Sequence, residues 1–249
     1  MGALLFWVPL ALLGLYMYWT LMDRFRGLTA SLSTESRDIL TYMMAGEEIL
    51  SGAVPYRDFF IEYPPGSLPF FVPPALVSEG PASYAAAFAS EMALLLVASL
   101  VLTALSARAL GLPWPVAALI FVAAAVLLNP IAVTRYDAVV ALTVAAAVAL
   151  AVRSREGGTA SSLALAFAWV SLGVGTAAKL VPALVGPPLA LFAARLGGWR
   201  AFVGGRRSSG SWWRPFSCRR SCWVAAAFWR ASRTTRSGGC RSSPWGPRS

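Results

Sequence analysis

Apolar stretches of membrane-crossing length recur along this chain with polar connections between them, and no other feature narrows its possible folds so far. Residues 3–22 are almost uninterruptedly apolar, about 20 in a row, which as a helix crosses ~30 Å of hydrocarbon. Trp7 and the cluster Tyr16-Met17-Tyr18-Trp19 fall where aromatic side chains favour the two water interfaces. A cleaved leader is the rival reading of this stretch. It lacks a basic start and a small-residue cleavage site before Asp23, which predicts a retained first span. Further apolar stretches cover residues 82–107, 113–128, 135–152, 163–178 and 180–194, the last broken by Pro182 and Pro187-Pro188. In hydrocarbon a single segment satisfies its own backbone only as a helix. The expected fold is therefore all-α: a polytopic helical membrane protein with about six transmembrane helices plus an amphipathic helix in an outer loop. Only 13% of the residues are charged, half of the quarter usual in soluble domains, which agrees.

Charge divides the chain unevenly. Residues 1–194 carry eight Arg and one Lys against eleven acids, a net −2; residues 195–249 carry twelve Arg and no acid, a net +12. The basicity belongs to the C-terminal part and gives the membrane part no reason to bind nucleic acid. Cys218, Cys222 and Cys240 lie there as well, so the body carries neither a disulfide framework nor a thiolate metal site. With no histidine anywhere, a histidine triad and a histidine-ligated metal are excluded. Two parts are expected: a transmembrane region over residues 1–203 and an irregular, basic, low-complexity tail over 204–249. The tail reads either as a cytoplasmic segment touching anionic lipid or as out-of-frame translation of a GC-rich gene. No site is assigned to it, the Cys218–Cys222 pair included.

Residues 23–66 form the polar outer loop, and within its 35–62 part Glu35, Asp38, Glu47, Glu48, Asp58 and Glu62 supply six of the chain's eleven acids. Residues 38–50 read as the amphipathic helix, with Ile39, Tyr42, Met43, Ile49 and Leu50 near one face and Glu47 and Glu48 off it. Ser51-Gly52 ends it, and Pro55, Pro64 and Pro65 force extended backbone around Tyr56-Arg57-Asp58 and Glu62-Tyr63. Residues 67–77 are apolar but too short to span, so a helix at the interface is expected there. Arg108, Arg153, Arg155, Arg195 and Arg200 follow the second, fourth and sixth spans, which makes that side cytoplasmic. The acidic loop, Arg135-Tyr136-Asp137 and Lys179 then share the outer face.

Several of these residues are candidates for chemistry. Asp38 stands one helical turn from Tyr42; its carboxylate suits either a general base or a helix N-cap. Tyr56, Asp58, Glu62 and Tyr63 offer rings and carboxylates of the kind that hold sugars, and the planar fork of Arg57 suits a phosphate. An internal Arg–carboxylate pair in an ordinary interfacial loop explains the same residues. Arg135, Tyr136 and Asp137 sit at the mouth of the fourth span, as ligand groups or as interface anchors. Lys179, the only lysine, lies inside apolar sequence, where a charge needs a partner. That partner is either a bound phosphate or Glu91, about a third of the way into the second span.

The run Asp38…Tyr42…Gly52-x2-Pro55-Tyr56-x-Asp58-Phe59…Glu62-Tyr63-Pro64-Pro65-Gly66, followed by Arg135-Tyr136-Asp137 and Lys179-Leu180-Val181-Pro182, resembles glycosyltransferase family 87. These are polytopic enzymes of the C-type glycosyltransferase superfamily, among them actinobacterial mannosyltransferases that use polyprenyl-phosphate mannose. The likeness covers about residues 1–195. It implies transfer of a hexose, mannose-like, from a polyprenyl-phosphate donor to a lipid or glycan acceptor at the outer face of the plasma membrane. The donor enters as substrate, with no resident cofactor and no metal site assigned. An Asp in the first outer loop acts as base in that superfamily, and Asp38 matches it; Arg57, Arg135 and Lys179 would hold the departing phosphate. Members usually have more spans, so the resemblance also implies a truncated product. A transporter or flippase using Glu91 and Lys179, and an inactive N-terminal fragment, are the competing expectations.

Overall fold

The computed structural model describes residues 3–29, 36–156 and 159–197, so the reading of the tail over 204–249 lies outside the described residues. Among the described residues the chain is all-helical and no strand forms. Helix α1 (Leu4–Thr29) has 26 residues and α4 (Pro81–Ala109) has 29, roughly 40 Å each at 1.5 Å per residue. These two are long and apolar enough to cross a bilayer unaided. The other apolar helices are shorter: α5 (Trp114–Leu127), α7 (Asp137–Arg153), α8 (Thr159–Ala178) and α9 (Gly186–Gly197). Pro182 opens a 3-10 turn over Val181–Val185 ahead of α9, which is the break expected of the proline-rich last stretch.

The outer-loop helix is α2 (Ser36–Leu50). After it come a 3-10 turn (Pro65–Phe70) and the short α3 (Val72–Leu76), so residues 67–77 form two short pieces rather than one helix. Three prolines, at 69, 73 and 74, explain the break, since none can donate a backbone hydrogen bond. A four-residue turn, α6 (Ile131–Thr134), leads into α7.

Pairwise contacts fix the direction of each helix. Phe6 at the start of α1 receives the Arg108 guanidinium from the end of α4, 4.5 Å from its ring centre. Further along, the Tyr18 and Ser90 hydroxyls share a 2.8 Å hydrogen bond, so α1 and α4 are antiparallel. Helix α5 begins beside Phe6, where Trp114 packs edge-on at 4.8 Å. It finishes beside the far end of α1, where Arg24 donates to Val126 O and Asn129 to Leu21 O, both at 3.1 Å. Helices α7 and α8 are antiparallel, joined by Ser171 Oγ donating to Thr143 O at 2.9 Å. A methyl at Gly175 would fall within 3.0 Å of the Thr143 side chain, so only glycine permits this approach.

Apolar side chains also cover the outside. Leu5, Leu12, Leu15 and Trp19 on α1, Leu119 and Ile120 on α5, and Phe167 and Val170 on α8 are all exposed. A soluble protein rarely shows apolar surface on this scale, whereas lipid requires it. This is a membrane protein.

Candidate functional site

One end of the bundle gathers most of the candidate residues. It is built on Ile39, Tyr42 and Ala45, the buried face of α2, while Glu47 and Glu48 stay exposed as the amphipathic pattern requires. Asp38 lies in the first turn of α2, inside the helix rather than at its N-cap. Its Oδ2 meets Arg135 Nη2 at 3.1 Å, with the two side chains 37% and 56% exposed.

Arg135 belongs to the extended link between α6 and α7 (φ −122°, ψ 149°), followed by buried Tyr136 and then by Asp137, the first residue of α7. Lys179 follows α8 directly, and its backbone N–H still bonds Gly175 O at 2.8 Å. Its ammonium donates to the Asp137 carboxylate and stands 5.5 Å from the centre of the Tyr136 ring. Two ion pairs therefore flank one buried tyrosine, and their four charges cancel.

The floor beneath them is aromatic. Tyr42 stacks on Phe71 at 4.4 Å and 12°, with Tyr63 and Tyr136 edge-on at 5.1 and 5.8 Å and Phe88 at 5.1 Å. Burial raises the Tyr42 hydroxyl well above the ordinary phenol range, with the Tyr63 hydrogen bond adding to it, so Tyr42 stays neutral. The Tyr63 hydroxyl is raised as well, again chiefly by burial. The sequence pattern missed Phe71 and Phe88 as parts of this cluster. Their only prior signal was an aromatic within the proline-rich stretch and another one turn beyond Tyr84.

Gly66 explains how the double proline reaches this end. A Cβ there would fall within 3.0 Å of backbone atoms of Ala177 and Ala178, immediately before Lys179. Only glycine lets the Pro65–Phe70 turn lie against the end of α8 and set Tyr63 beside Tyr136, 5.5 Å between ring centres.

Other candidates stay apart from the ion pairs. Arg57 is bidentate to Asp58, with both N–O distances 2.8 Å, and Asp58 Oδ2 also accepts the Val54 N–H at 2.8 Å. The Arg57 guanidinium and the Val54 amide hold the Asp58 carboxyl below the usual carboxylate range. This matches the internal-pair reading of the loop. Tyr56, at φ +65°, carries the turn, and its hydroxyl donates to Tyr63 O. Glu62 is exposed. Glu91 is not the partner of Lys179: the lysine is taken by Asp137, and one Glu91 carboxylate oxygen is buried without a hydrogen bond. Among the described residues no group of three or more His, Cys, Asp or Glu side chains assembles, and Arg135 and Lys179 are the cations in the two ion pairs at this end.

A groove of about 520 Å³ runs from Asp137 down between α4, α5 and α7, lined by Thr103, Phe121, Val140, Val144 and Val148. Its walls are mostly apolar, and Asp137, the partner of Lys179, is the charged residue in its lining.

The sequence model of glycosyltransferase family 87 matches residues 60–208. The chain belongs to glycosyltransferase family 87. The match takes in Glu62, Tyr63, Arg135, Tyr136, Asp137 and Lys179, while Asp38, Tyr42, Tyr56, Arg57 and Asp58 precede it. Neither a curated protein nor a solved structure matches the chain. Family membership makes it a membrane glycosyltransferase and gives the two ion pairs a context: a charged, aromatic end on an apolar bundle.

Proposed function

We propose that this glycosyltransferase moves a mannose-like hexose from a polyprenyl-phosphate donor to a lipid or glycan acceptor at the outer face of the plasma membrane. The observation that supports the reading is an apolar groove lined at one end by Asp137, whose carboxylate is paired with Lys179, with Arg135 two residues before it in the chain. A lipid phosphate needs both at once: cations for the phosphate and apolar walls for the chain. Six spans would be α1, α4, α5, α7, α8 and the broken segment of the Val181–Val185 turn with α9. The side is supported by Arg108, Arg153, Arg155, Arg195 and Arg200, which follow the second, fourth and sixth spans and favour the cytoplasm.

Asp38 takes the proton of the acceptor hydroxyl as its oxygen bonds to the sugar's anomeric carbon. The bond from that carbon to the phosphate oxygen breaks, its electron pair leaves with the phosphate, and the configuration inverts. Arg135 and Lys179 stabilise the charge that builds on the departing phosphate. Tyr42, Tyr63 and Tyr136 shape the sugar side; Tyr56, Asp58 and Glu62 line its approach, with Arg57 bracing Asp58 there.

The test is label transfer from tritiated citronellyl-phosphate mannose in membranes carrying the full chain. Asp38→Asn should lower transfer by roughly 10²–10⁴-fold at equal expression. Transfer at the wild-type rate would remove Asp38 from the role of base.

A further inference from the structure

Arg135 does more at this end than offer a charge. Its guanidinium touches one oxygen of Asp38, Oδ2, through one nitrogen, Nη2, at 3.1 Å. No hydrogen bond to the other oxygen, Oδ1, forms among the described residues. A guanidinium carries five N–H groups on a rigid plane, and with 56% of this side chain exposed its other edge is open to an anion. The root of the arm lies between buried Thr134 and buried Tyr136, and the ion pair with Asp38 directs its end. Lys179 stands on the other side of the chain step, against Tyr136 and Asp137.

We propose that Arg135 is the positioning residue of the base, holding Asp38 with one edge and the donor phosphate with the other. This rests on the reading of Asp38 as base. Holding Oδ2 turns Oδ1 toward the acceptor hydroxyl. Binding the phosphate with the same rigid plane fixes the base relative to the departing group. An ammonium at this position would attract both anions yet fix neither direction.

The experiment follows transfer from tritiated citronellyl-phosphate mannose in membranes carrying the full chain, with detergent elution checking that each variant is folded. Arg135→Lys should keep KM within about 3-fold and lower kcat roughly 10²-fold, because charge survives and orientation does not. Arg135→Ala should lose activity further, and added guanidinium chloride should restore part of kcat; Lys179→Ala should not respond. Asp38→Asn/Arg135→Lys should be no slower than Asp38→Asn alone. Arg135→Lys at the wild-type kcat, or no guanidinium response in folded Arg135→Ala, overturns the proposal while an inactive Asp38→Asn leaves the base reading standing. Should Arg135→Ala fail to fold, the kcat and KM of Arg135→Lys decide alone. An active Asp38→Asn sinks the base reading and this inference with it.

Discussion

Replacing Gly66 by alanine adds one methyl where the Pro65–Phe70 turn meets the end of α8. That methyl would fall within 3.0 Å of Ala177 and Ala178 backbone atoms, whereas ordinary contact begins at 3.4 Å. Backbone cannot rotate away as a long side chain can, so the turn must retreat by roughly 0.5 Å or more. Overpacking of this kind typically costs about 1–3 kcal/mol. The retreat also carries Tyr63 away from Tyr136, and Lys179 sits one residue beyond the strained contact. Displacements approaching 1 Å at a reacting centre can cost about 10²-fold in rate. Gly66→Ala should therefore lower the thermal midpoint of the detergent-purified chain and cut label transfer at least 10-fold, with donor KM changing less than kcat. Activity and thermal midpoint both equal to wild type would show that this contact does not set the geometry of the ionic end.

Other consequences are as direct. Lys179→Met strands the Asp137 carboxylate at the head of the apolar groove, and Asp137→Asn on the same chain relieves it. A thermal double-mutant cycle should give a coupling of about 1 kcal/mol, modest because both side chains are part-exposed; zero coupling would mean the pair is incidental. The depressed Asp58 carboxyl fixes a sign for the 54–58 turn. Its stabilisation is complete above the unfolded value of about 3.9 and is lost as pH falls through the lower folded value. Val54 amide protection, followed by hydrogen exchange, should hold from pH 7 to about 4.5 and fall only below the carboxylate range. Loss of protection near pH 6 would contradict the assigned cause.

The sequence revealed more of the fold than of its connections. Periodicity and proline placed α2, the break before α9 and the long α1 and α4, because amphipathic spacing and missing N–H donors act locally. Shortness of α5 was legible too, since the apolar run 113–128 ends at Asn129-Pro130 and the helix keeps within those bounds. At the ionic end, Lys179 was legible as a costly charge in apolar sequence, Arg135 and Asp137 as charges at the mouth of a span, and Asp38 as the carboxylate opening the loop helix. Their pairing was not. Glu91 matched Lys179 by depth along its span, but partner choice depends on which helices touch, and the α7–α8 packing permitted by Gly175 gives Lys179 to Asp137. Phe71 and Phe88 escaped for the same reason: single aromatics carry no mark of the neighbours they will stack on.

The account stands on an ionic end that faces outward while the far ends of α4 and α7 face the cytoplasm. Single cysteines at Glu62 and Arg155, both exposed, in a chain whose Cys218, Cys222 and Cys240 are replaced by serine, test this in intact cells with a membrane-impermeant maleimide. The account predicts labelling of Glu62→Cys from outside and of Arg155→Cys only after the cells are opened. The reverse pattern, or both positions labelled from one side, would contradict it.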